Sequence, residues 1–371
     1  MDGARRLLVL AFLLTATPGH GSGFALIERD AAGLGRAYAG QAAVIAPSAV
    51  AFNPAAVPAA TTLNANLSYL WNHLQPEDAG TEAAVPALFG TMHGIGLGVY
   101  GEFGLATDYP SDWSGRYYAL HSEIAAARFQ IAGAYPVTPT LRLGAGLFLQ
   151  SFEAELTQAI PTPLGDRVSK VEGNDTGIGW TFGVLWSPLP ELALGLSYGS
   201  AVDHVLSGTA TTPHGTQGAT VPVTTPEVVR SGIRWAPRSQ LVLMAGASWT
   251  RWSRLQALDI RLADGSRLIE EHAWRDTWRL DLGGDYVIGP WTWRLGTAWD
   301  QSPVATATHR SPRLPDSDRT WLAGGLDYRT GPWTLSLSYA HIWFAGGRGE
   351  HPPIDYSAGS DILAAGITRS W

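Results

Sequence analysis

A glycine-rich run is the first residue group whose type and spacing could support chemistry. The hexapeptide Gly96-Leu97-Gly98-Val99-Tyr100-Gly101 matches the letters of the dinucleotide-binding fingerprint. That fingerprint holds a pyrophosphate only where it ends a strand and opens a helix, and no helical periodicity follows Gly101. We therefore interpret these glycines as part of a bent strand and expect no nucleotide cofactor.

A pair of carboxylates is the second candidate. Glu153 and Glu155 fall on one face of an extended segment, roughly 7 Å apart by strand rise. Two such carboxylates could act as general acid and general base. The same alternation is also typical of the polar inner face of a β-barrel, and we favour that interpretation.

Metal and nucleophile chemistry have weaker support in the sequence. The ten histidines are scattered without His-Glu-x-x-His spacing, and the chain has no cysteine, which excludes disulfides and thiolate metal sites. A phospholipase built on a barrel would need a serine and a histidine placed together, and no motif suggests such a pair. We expect no metal, no cofactor and no enzymatic activity.

Composition favours a membrane surface. Charged residues make up only 15% of the chain, against about 25% in typical globular domains. The chain also contains 43 Gly, 16 Trp and 12 Tyr, and Trp and Tyr suit membrane interfaces because one end of each ring is apolar and the other is polar. The net charge of −7 argues against a nucleic-acid partner.

The first 22 residues have the order of a secretory signal peptide. Arg5 and Arg6 form a basic region, residues 7–16 are an apolar run, and small residues end near Ser22. The apolar run of about ten residues is short of the roughly 20 that a membrane helix needs. We therefore exclude residues 1–22 from the mature fold.

Alternation with a period of two recurs through the remaining chain. In residues 277–286, Trp278 and Leu280 share one face, whereas Arg279 and Asp281 share the other. Most such runs have the ~9–12 residues of a tilted membrane strand, and their number, about fourteen, is even, as in bacterial barrels. The runs are 63–71, 83–91, 94–103, 122–135, 140–155, 177–186, 191–204, 227–235, 240–254, 273–288, 291–301, 319–328, 333–344 and 361–371.

The connections alternate in length, which is the pattern of an outer-membrane barrel with short periplasmic turns and long outer loops. Trp235, Trp291 and Trp333 lie beside short turns and predict an aromatic girdle at the periplasmic edge. The predicted turns are 136–139, 187–190, 236–238, 289–290 and 331–332, and the predicted loops are 104–121, 156–176, 205–225, 255–272, 302–318 and 345–360.

Residues 23–62 precede the first predicted strand and are rich in Ala and Gly, including Gly33 and Gly35. Small residues let backbones pack closely, and the lumen of a large barrel offers such packing. We predict a plug of short helices inside an all-β barrel formed by residues 63–371. The alternative is a flexible periplasmic tail.

Several short motifs follow one another along nearly the whole mature chain: 23–26, 33–40, 53–55, 104–107, 249–253, 300–304 and 314–319. The N-terminal motifs are the most specific, with the triplet Asn53-Pro54-Ala55 as the strongest mark. With these motifs, in this order, the chain resembles the FadL family of outer-membrane transporters for long-chain fatty acids and hydrocarbons.

The resemblance implies a fourteen-stranded antiparallel transmembrane barrel closed by an N-terminal hatch. It also implies that hydrophobic substrates leave sideways, through a gap beside an inward kink in the third strand. The implied gating residues are Asn53, Pro54, Ala55, Gly33 and Gly35. The glycines compatible with the kink are Gly96, Gly98, Gly101 and Gly104.

The resemblance also suggests residues that contact the substrate. Arg275 matches a basic position that holds a fatty-acid carboxylate in the family, although it could instead pair with Asp276 or Glu270. A second basic position of the family aligns near Glu153–Glu155, which makes a neutral substrate more plausible. The other predicted contacts are Phe24, Leu105, Tyr109 and Trp113.

These observations predict a monomeric, passive channel of a Gram-negative outer membrane. Its expected substrates are long-chain fatty acids, with hydrocarbons or aromatic compounds as the alternative. The expected partners are outer-membrane lipids, lipopolysaccharide and the barrel assembly machinery. A polar-solute porin and a structural or adhesion barrel remain open.

Overall fold

The computed structural model describes residues 23–371; the predicted signal peptide lies outside them. Residues 23–61 contain two short helices, α1 (Ala31–Leu34) and α2 (Ala49–Phe52). Three 3₁₀ turns, Gln41–Ala43, Pro54–Ala56 and Trp252–Arg254, complete the helical structure of the described residues. The strands are β1 (Thr62–Gln75), β2 (Glu82–Met92), β3 (Ile95–Asp108), β4 (His121–Pro136), β5 (Leu141–Ile160), β6 (Arg167–Leu189), β7 (Leu192–Gly199), β8 (Val202–Thr212), β9 (Gly215–Thr225), β10 (Val228–Arg238), β11 (Leu241–Thr250), β12 (Ala257–Leu262), β13 (Arg267–Glu271), β14 (Thr277–Ile288), β15 (Trp291–Asp300), β16 (Arg319–Thr330), β17 (Trp333–Phe344), β18 (Gly347–Arg348) and β19 (Asp355–Ser370).

Within the described residues, these segments form a closed antiparallel barrel of fourteen wall strands, as predicted. β7 continues into β8 as one wall strand, and β9 continues into β10 as another, while β12 and β13 form an outer hairpin. The barrel closes because β1 pairs with β19 from Thr62↔Ser370 to Gln75↔Ser357. Closure pairs the backbone polar groups of the edge strands, which a membrane would otherwise leave without partners.

The apolar side chains of the alternating strands face outward. In β14, Trp278, Leu280 and Leu282 are exposed, whereas Thr277 and Arg279 are buried. A continuous apolar outer surface of this kind is stable in lipid and aggregates in water. The turn-flanking residues Trp235, Trp291 and Trp333 are also exposed. Among residues 23–371, no helix has the length and apolarity needed to cross a membrane.

Two predicted loops are wrong. In place of loop 156–176, β5 runs to Ile160 and β6 begins at Arg167, and in place of loop 205–225, β8 and β9 form a hairpin that turns at residues 213–214. A third predicted loop, 255–272, contains the β12–β13 hairpin. The ends of these hairpins carry polar residues such as Thr209 and Thr211. They therefore lack the hydrophobic alternation that marks a lipid-facing strand.

Residues 23–57 lie inside the barrel, where their backbone runs against glycines of the wall. A Cβ at Gly183 would overlap Asn53 Oδ1, one at Gly195 would overlap Ala42 O, and one at Gly296 would overlap Arg36 O. The wall glycines that a hatch residue approaches this closely, or nearly so, form the glycine belt: Gly144, Gly183, Gly195, Gly232, Gly246, Gly283, Gly296 and Gly325.

Side-chain bonds fix this hatch segment to the wall. Asn53 Nδ2 donates to Ala42 O at 2.6 Å and to Val184 O at 3.1 Å, so it ties two parts of the hatch to β6. Its Oδ1 accepts from Ala55 N at 3.0 Å, and Pro54 begins the following 3₁₀ turn, where no N–H is needed. The Asn-Pro-Ala triplet is therefore a turn seated on Gly144 and Gly183.

We expect Gly183→Ala to loosen the hatch. The added methyl group overlaps Asn53, and overpacking of this kind costs about 1–3 kcal/mol. Single-channel recordings in planar bilayers should show larger or more frequent ionic conductance than the native chain shows. The control is Gly133→Ala, because a Cβ there meets nothing within 4 Å. Identical recordings for the two variants would contradict a tight seal between hatch and wall.

Candidate functional site

An apolar pocket lies inside the long-loop half of the barrel. It contains about 590 Å³ of space not occupied by atoms, including the part open to solvent at its mouth. Two hydrophobic residues of the outer hairpin, Leu258 and Ile260, cover it. The lining residues are Phe24, Ile124, Phe152, Ala154, Leu156, Val171, Glu172, Gly173, Leu206, Val221, Val223, Leu255, Leu258, Ile260, His272 and Leu314.

Phe24 joins this pocket to the hatch. Its ring makes edge-on contacts with Trp252 at 4.8 Å and with Phe103 at 5.4 Å between centroids, and with Phe152 at 6.3 Å. Aromatic pairs in this geometry are favourable beyond their buried area. Phe24 thus belongs to the hatch, to the pocket lining and to a packed aromatic cluster at once.

The hatch around Phe24 also pairs with the wall strand β3. Leu26 N donates to Glu102 O at 2.9 Å, and Gly104 N donates to Phe24 O at 2.8 Å. Ala25 and Phe103 form an antiparallel bridge between these two bonds. Residues 24–26 therefore act as a short strand beside β3.

This pairing occurs where β3 has separated from β2. The β2–β3 ladder ends at Ala87↔Tyr100, and the β3–β4 register shifts between Gly101 and Phe103, which leaves Glu102 as a bulge. The residue that precedes Ala87 in β2 is Pro86, which has no N–H to donate and is tolerated where a ladder stops. The wall therefore has an interval without ladder pairs between Pro86 and the inward-bent part of β3.

Buried charges hold the bulge in place. The carboxylate of Glu102 lies 2.7 Å from Arg29 Nη2 of the hatch and 3.2 Å from Arg128 Nη1 of β4. Arg29 Nε also donates to Gly101 O at 3.0 Å. All three charged side chains are buried, so each depends on the others for compensation of its charge.

The predicted kink glycines serve two different purposes. Gly101 and Gly104 flank the bulge, whereas Gly96 and Gly98 lie below it in a regular ladder. A Cβ at Gly98 would come within 3.2 Å of Val50 Cγ1, and one at Gly96 would overlap the same side chain. The two lower glycines therefore make room for α2, and the bend itself is centred on Glu102.

The other predicted gating glycines pack within the hatch or against the wall. A Cβ at Gly33 would meet the Tyr38 ring at 2.8 Å, and one at Gly35 would lie 2.9 Å from Gly325 Cα. Both positions therefore need a residue without a side chain, since real Cβ contacts are longer than 3.0 Å.

The structure separates the predicted substrate contacts. Phe24 lines the pocket, and Leu105 packs in the same hydrophobic cluster. Tyr109 and Trp113 stack on each other at 4.0 Å between centroids in a different cluster beneath the outer loops, where both are buried. These two residues do not line the described pocket.

Arg275 lies at the outer rim rather than in the pocket. Its Nε donates to Ser302 O at 3.2 Å, and its Nη2 lies 3.9 Å from Asp318 Oδ1. The side chain is 44% exposed. The predicted pairing with Asp276 or Glu270 is absent among the bonds of Arg275 in residues 23–371, and Asp318 takes that place.

The lumen interpretation of Glu153 and Glu155 is wrong. Phe152 and Ala154 of the same strand line the pocket, and alternation therefore turns both glutamates to the outer surface. Glu155 Oε2 lies 2.9 Å from Lys170 Nζ there. The acidic pair consequently says nothing about the head group of a substrate.

Sequence reasoning missed His272, which is a buried polar side chain in an otherwise mostly apolar pocket lining. His272 is 1% exposed, and burial lowers its pKa below the usual value, with Arg313 and His309 lowering it further and Glu270 opposing them. Ten scattered histidines gave no spacing signal that could single it out. Within residues 23–371, no three His, Asp or Glu side chains are placed to hold a metal ion.

The fold and this site define a plugged transmembrane β-barrel with an internal apolar pocket and an interrupted wall. The model of a transport family, described as outer membrane protein transport protein (OMPP1/FadL/TodX), matches residues 12–350. The chain belongs to this family of outer-membrane transport proteins.

Individual relatives agree with this membership. The long-chain fatty acid transport protein of Escherichia coli O6:H1 is 28% identical, with 86% of each chain covered. Outer membrane protein P1 of Haemophilus influenzae is 28% identical over 91% of this chain and 89% of its own. The crystal structure of a Pseudomonas aeruginosa FadL homologue superposes with a TM-score of 0.86 at 22% identity, covering 94% of this chain and 99% of its own.

Another solved structure shares the fold at lower identity. The Ralstonia pickettii toluene transporter TbuX has a TM-score of 0.73 at 17% identity, with 93% of this chain and 99% of its own covered. The family membership and the closed barrel together make the chain an outer-membrane barrel of the predicted class.

We expect Glu102→Gln to destabilise the chain strongly. The change leaves Arg29 and Arg128 buried without their carboxylate, a loss of about 3–5 kcal/mol. Thermal unfolding in detergent, followed by circular dichroism, should show a lower midpoint. Glu155→Gln is the control, since its exposed pair with Lys170 contributes only about 0–1 kcal/mol. Equal midpoints for the two variants would show that the bulge does not depend on the ion pairs.

Proposed function

We propose that the chain is a passive channel that moves hydrophobic small molecules from the outer surface into the outer membrane by a lateral exit. The observation that carries the proposal is the double role of Phe24. Its ring lines the apolar pocket, while its carbonyl accepts a hydrogen bond from Gly104 N of the bent strand. A ligand that displaces the ring therefore acts on the backbone pairing beside the wall interval.

The path begins at the outer loops. Tyr117 and Tyr118 are exposed there, and the hairpin β12–β13 covers the pocket with Leu258 and Ile260. Its outer side carries Asp259, bonded to Arg261 at 2.8 Å and to Arg267 at 2.6 Å. A hairpin with one apolar and one charged side can lift without exposing its charges to the pocket.

A lateral exit agrees with the nature of the cargo. A hydrophobic molecule gains nothing from a water-filled pore, because leaving into the bilayer keeps its apolar surface out of water. We propose the interval beside Pro86, where the β2–β3 ladder has ended, as this exit, since the hatch packs against the glycine belt of the lumen and would block a direct route to the periplasm.

Long-chain fatty acids are the first substrate candidate, because the E. coli relative is named for their transport. Hydrocarbons and aromatic compounds are the alternative, in keeping with the toluene transporter that shares the fold. We propose Arg275 as an early contact for a carboxylate at the rim, before the molecule enters the pocket. Tyr109 and Trp113 then support the outer loops from beneath.

The rival functions make different demands on the structure. A polar-solute porin needs an open aqueous lumen, whereas residues 23–57 are packed against the glycine belt. A barrel enzyme needs a reactive group in contact with its substrate, and we propose that this chain has no enzymatic role. A structural or adhesion barrel would have no need of an apolar internal pocket.

We also propose that the chain acts as a monomer. Its outer neighbours would be membrane lipids and lipopolysaccharide, with the barrel assembly machinery as its partner during insertion. The supporting observation is that the exposed apolar band runs around the wall, from Leu63 in β1 to Ile367 in β19.

A disulfide across the wall interval should block transport. An ideal Cβ at Gly101 lies 3.5 Å from Val85 Cγ1, an atom in the position that a cysteine sulfur can take, so Val85→Cys and Gly101→Cys are placed to form a bridge. The chain has no cysteine of its own, so no other disulfide can form. Uptake of a labelled fatty acid and of toluene by cells should fall on oxidation and recover on reduction.

Each single-cysteine variant is the control for this experiment and should respond to neither treatment. Full transport through the oxidised double variant would contradict exit between β2 and β3, although entry through the outer loops would stand. Unchanged growth and uptake after deletion of the gene would contradict the transporter itself.

Arg275→Ala should weaken capture of a carboxylate and spare an alkane. Removal of one exposed cation changes the affinity by up to about fivefold, the size of a surface ion pair. The measurement is the initial binding of dodecanoate and dodecane to the purified chain. Arg261→Ala, on the outer side of the hairpin, is the control. Equal losses for both ligands would contradict a contact with the carboxylate.

A further inference from the structure

His272 is an unpartnered polar side chain in an apolar pocket. It lines the pocket and is 1% exposed, and neither Nδ1 nor Nε2 has a hydrogen-bond partner among residues 23–371. A buried polar group without a partner is costly, so such groups are usually satisfied in the functional state. A ligand in this pocket could form the missing hydrogen bonds with both imidazole nitrogens.

The position of the ring is fixed by its surroundings. His272 N donates to Gln256 O at 2.8 Å, and the imidazole packs against the Trp274 ring at 5.7 Å between centroids. Trp274 belongs to the aromatic cluster that also contains Phe24. A ligand group bonded to His272 would therefore lie close to the hatch residue that lines the same pocket.

The ionisable side chains near His272 all bond to residues other than His272. Arg313 Nε lies 3.2 Å from Glu270 Oε2, while its other nitrogens bond to Thr157 O at 3.1 Å and to Gln158 Oε1 at 2.7 Å. Arg275 is turned to the rim, and His309 Nδ1 bonds to Thr306 Oγ1 at 2.8 Å.

The remaining charged residue of the lining also faces away. Glu172 is the other pocket-lining residue with an ionisable side chain, and its exposed carboxylate pairs with Lys170 at 2.8 Å on the outer surface. Within the described residues, no unopposed cation therefore lines the pocket. An ionised carboxylate would be buried there without a counter-charge, which is strongly unfavourable.

We infer that the pocket binds the uncharged polar end of a long hydrophobic molecule, with His272 as its hydrogen-bond partner. This inference rests on the proposed transport of hydrophobic molecules and names their class: long-chain alcohols and other neutral amphiphiles, and fatty acids in the protonated form. A neutral imidazole has one donor and one acceptor, so it can serve a hydroxyl, a carbonyl or a carboxylic acid.

Three ligands with one chain length and different head groups test this inference. Dodecanol, dodecanoate and dodecane are bound to the purified full chain in detergent at pH 7.5, and partition into protein-free micelles is subtracted. Dodecanol should bind about tenfold more tightly than either of the others, the effect of one hydrogen bond in a dry site. His272→Phe should remove this advantage and leave dodecane unchanged.

The control variant is His214→Phe, at the exposed tip of the β8–β9 hairpin. It makes the same replacement away from the pocket and should change none of the three affinities. Circular dichroism of both variants checks that the barrel is folded, and an unchanged dodecane affinity checks that the pocket is intact.

The pH dependence gives a second, independent readout. If only the protonated acid binds, the affinity for dodecanoate should fall about tenfold for each pH unit between 7.0 and 8.5, because the protonated fraction falls by that factor above the carboxyl pKa. The affinity for dodecanol should stay constant. His272 does not contribute in this range, since burial lowers its pKa from its usual value.

The outcomes separate this inference from the function on which it rests. A pH-independent affinity for dodecanoate that exceeds the affinity for dodecanol would overturn it in favour of a charged head-group site. An unchanged dodecanol affinity in His272→Phe would overturn it as well. Failure of all three ligands to bind would instead contradict the proposed transport of hydrophobic molecules.

Discussion

The backbone pairing between the hatch and β3 is the interaction on which the rest of this structure depends. A wall strand that leaves its neighbour inside a membrane exposes N–H and C=O groups that lipid cannot satisfy. In this chain, β3 leaves β2 at Tyr100, and residues 24–26 of the hatch supply the missing partners. An interrupted wall is therefore stable only while the plug is in place, which couples the state of the plug to the state of the wall.

The glycine belt follows from the same need for close packing. A hatch that pairs with one wall strand must also be held by the others, and short helices offer few long side chains for that purpose. At the height of the hatch, wall positions such as Gly183 and Gly195 have no side chain, so the hatch packs directly against the backbone of the wall. Polar contacts then fix the register, as where Gly40 N donates to Asp281 Oδ1 at 2.9 Å. The many glycines of the sequence thus have a structural cause.

Much of this architecture could be predicted from the sequence, because lipid imposes a strong and regular pattern. Alternation, even strand number and short turns gave the barrel, and the exposure of Trp278, Leu280 and Leu282 agrees with that pattern. The pattern fails above the hydrocarbon, where strand residues such as Thr209 are polar although the strand continues. The loops predicted at 156–176 and 205–225 were wrong for that reason.

The site was harder to predict, because its residues carry no periodic signal. A face assignment depends on register, and a shift of one residue moves a side chain from the lumen to the lipid. Glu153 and Glu155 were placed inside by the strand pattern, yet Phe152 and Ala154 take that side. Glu102 depends on Arg29, which is distant in sequence, and His272 lines a pocket whose other residues come from distant parts of the chain. Such partners become visible only when the fold brings them together.

The two ends of the pocket give the channel a direction. Its outer end is covered by a hairpin with charges on one side and Leu258 and Ile260 on the other, so a hydrophobic molecule can enter without burying charge. Its inner end is Phe24, whose backbone holds the bent strand. The aromatic cluster around Phe24 holds residues 24–26 against β3. A molecule that binds in the pocket would replace some contacts between Phe24 and this cluster by contacts between Phe24 and the ligand. In the proposed mechanism, ligand binding and hatch release therefore act on the same residue, Phe24.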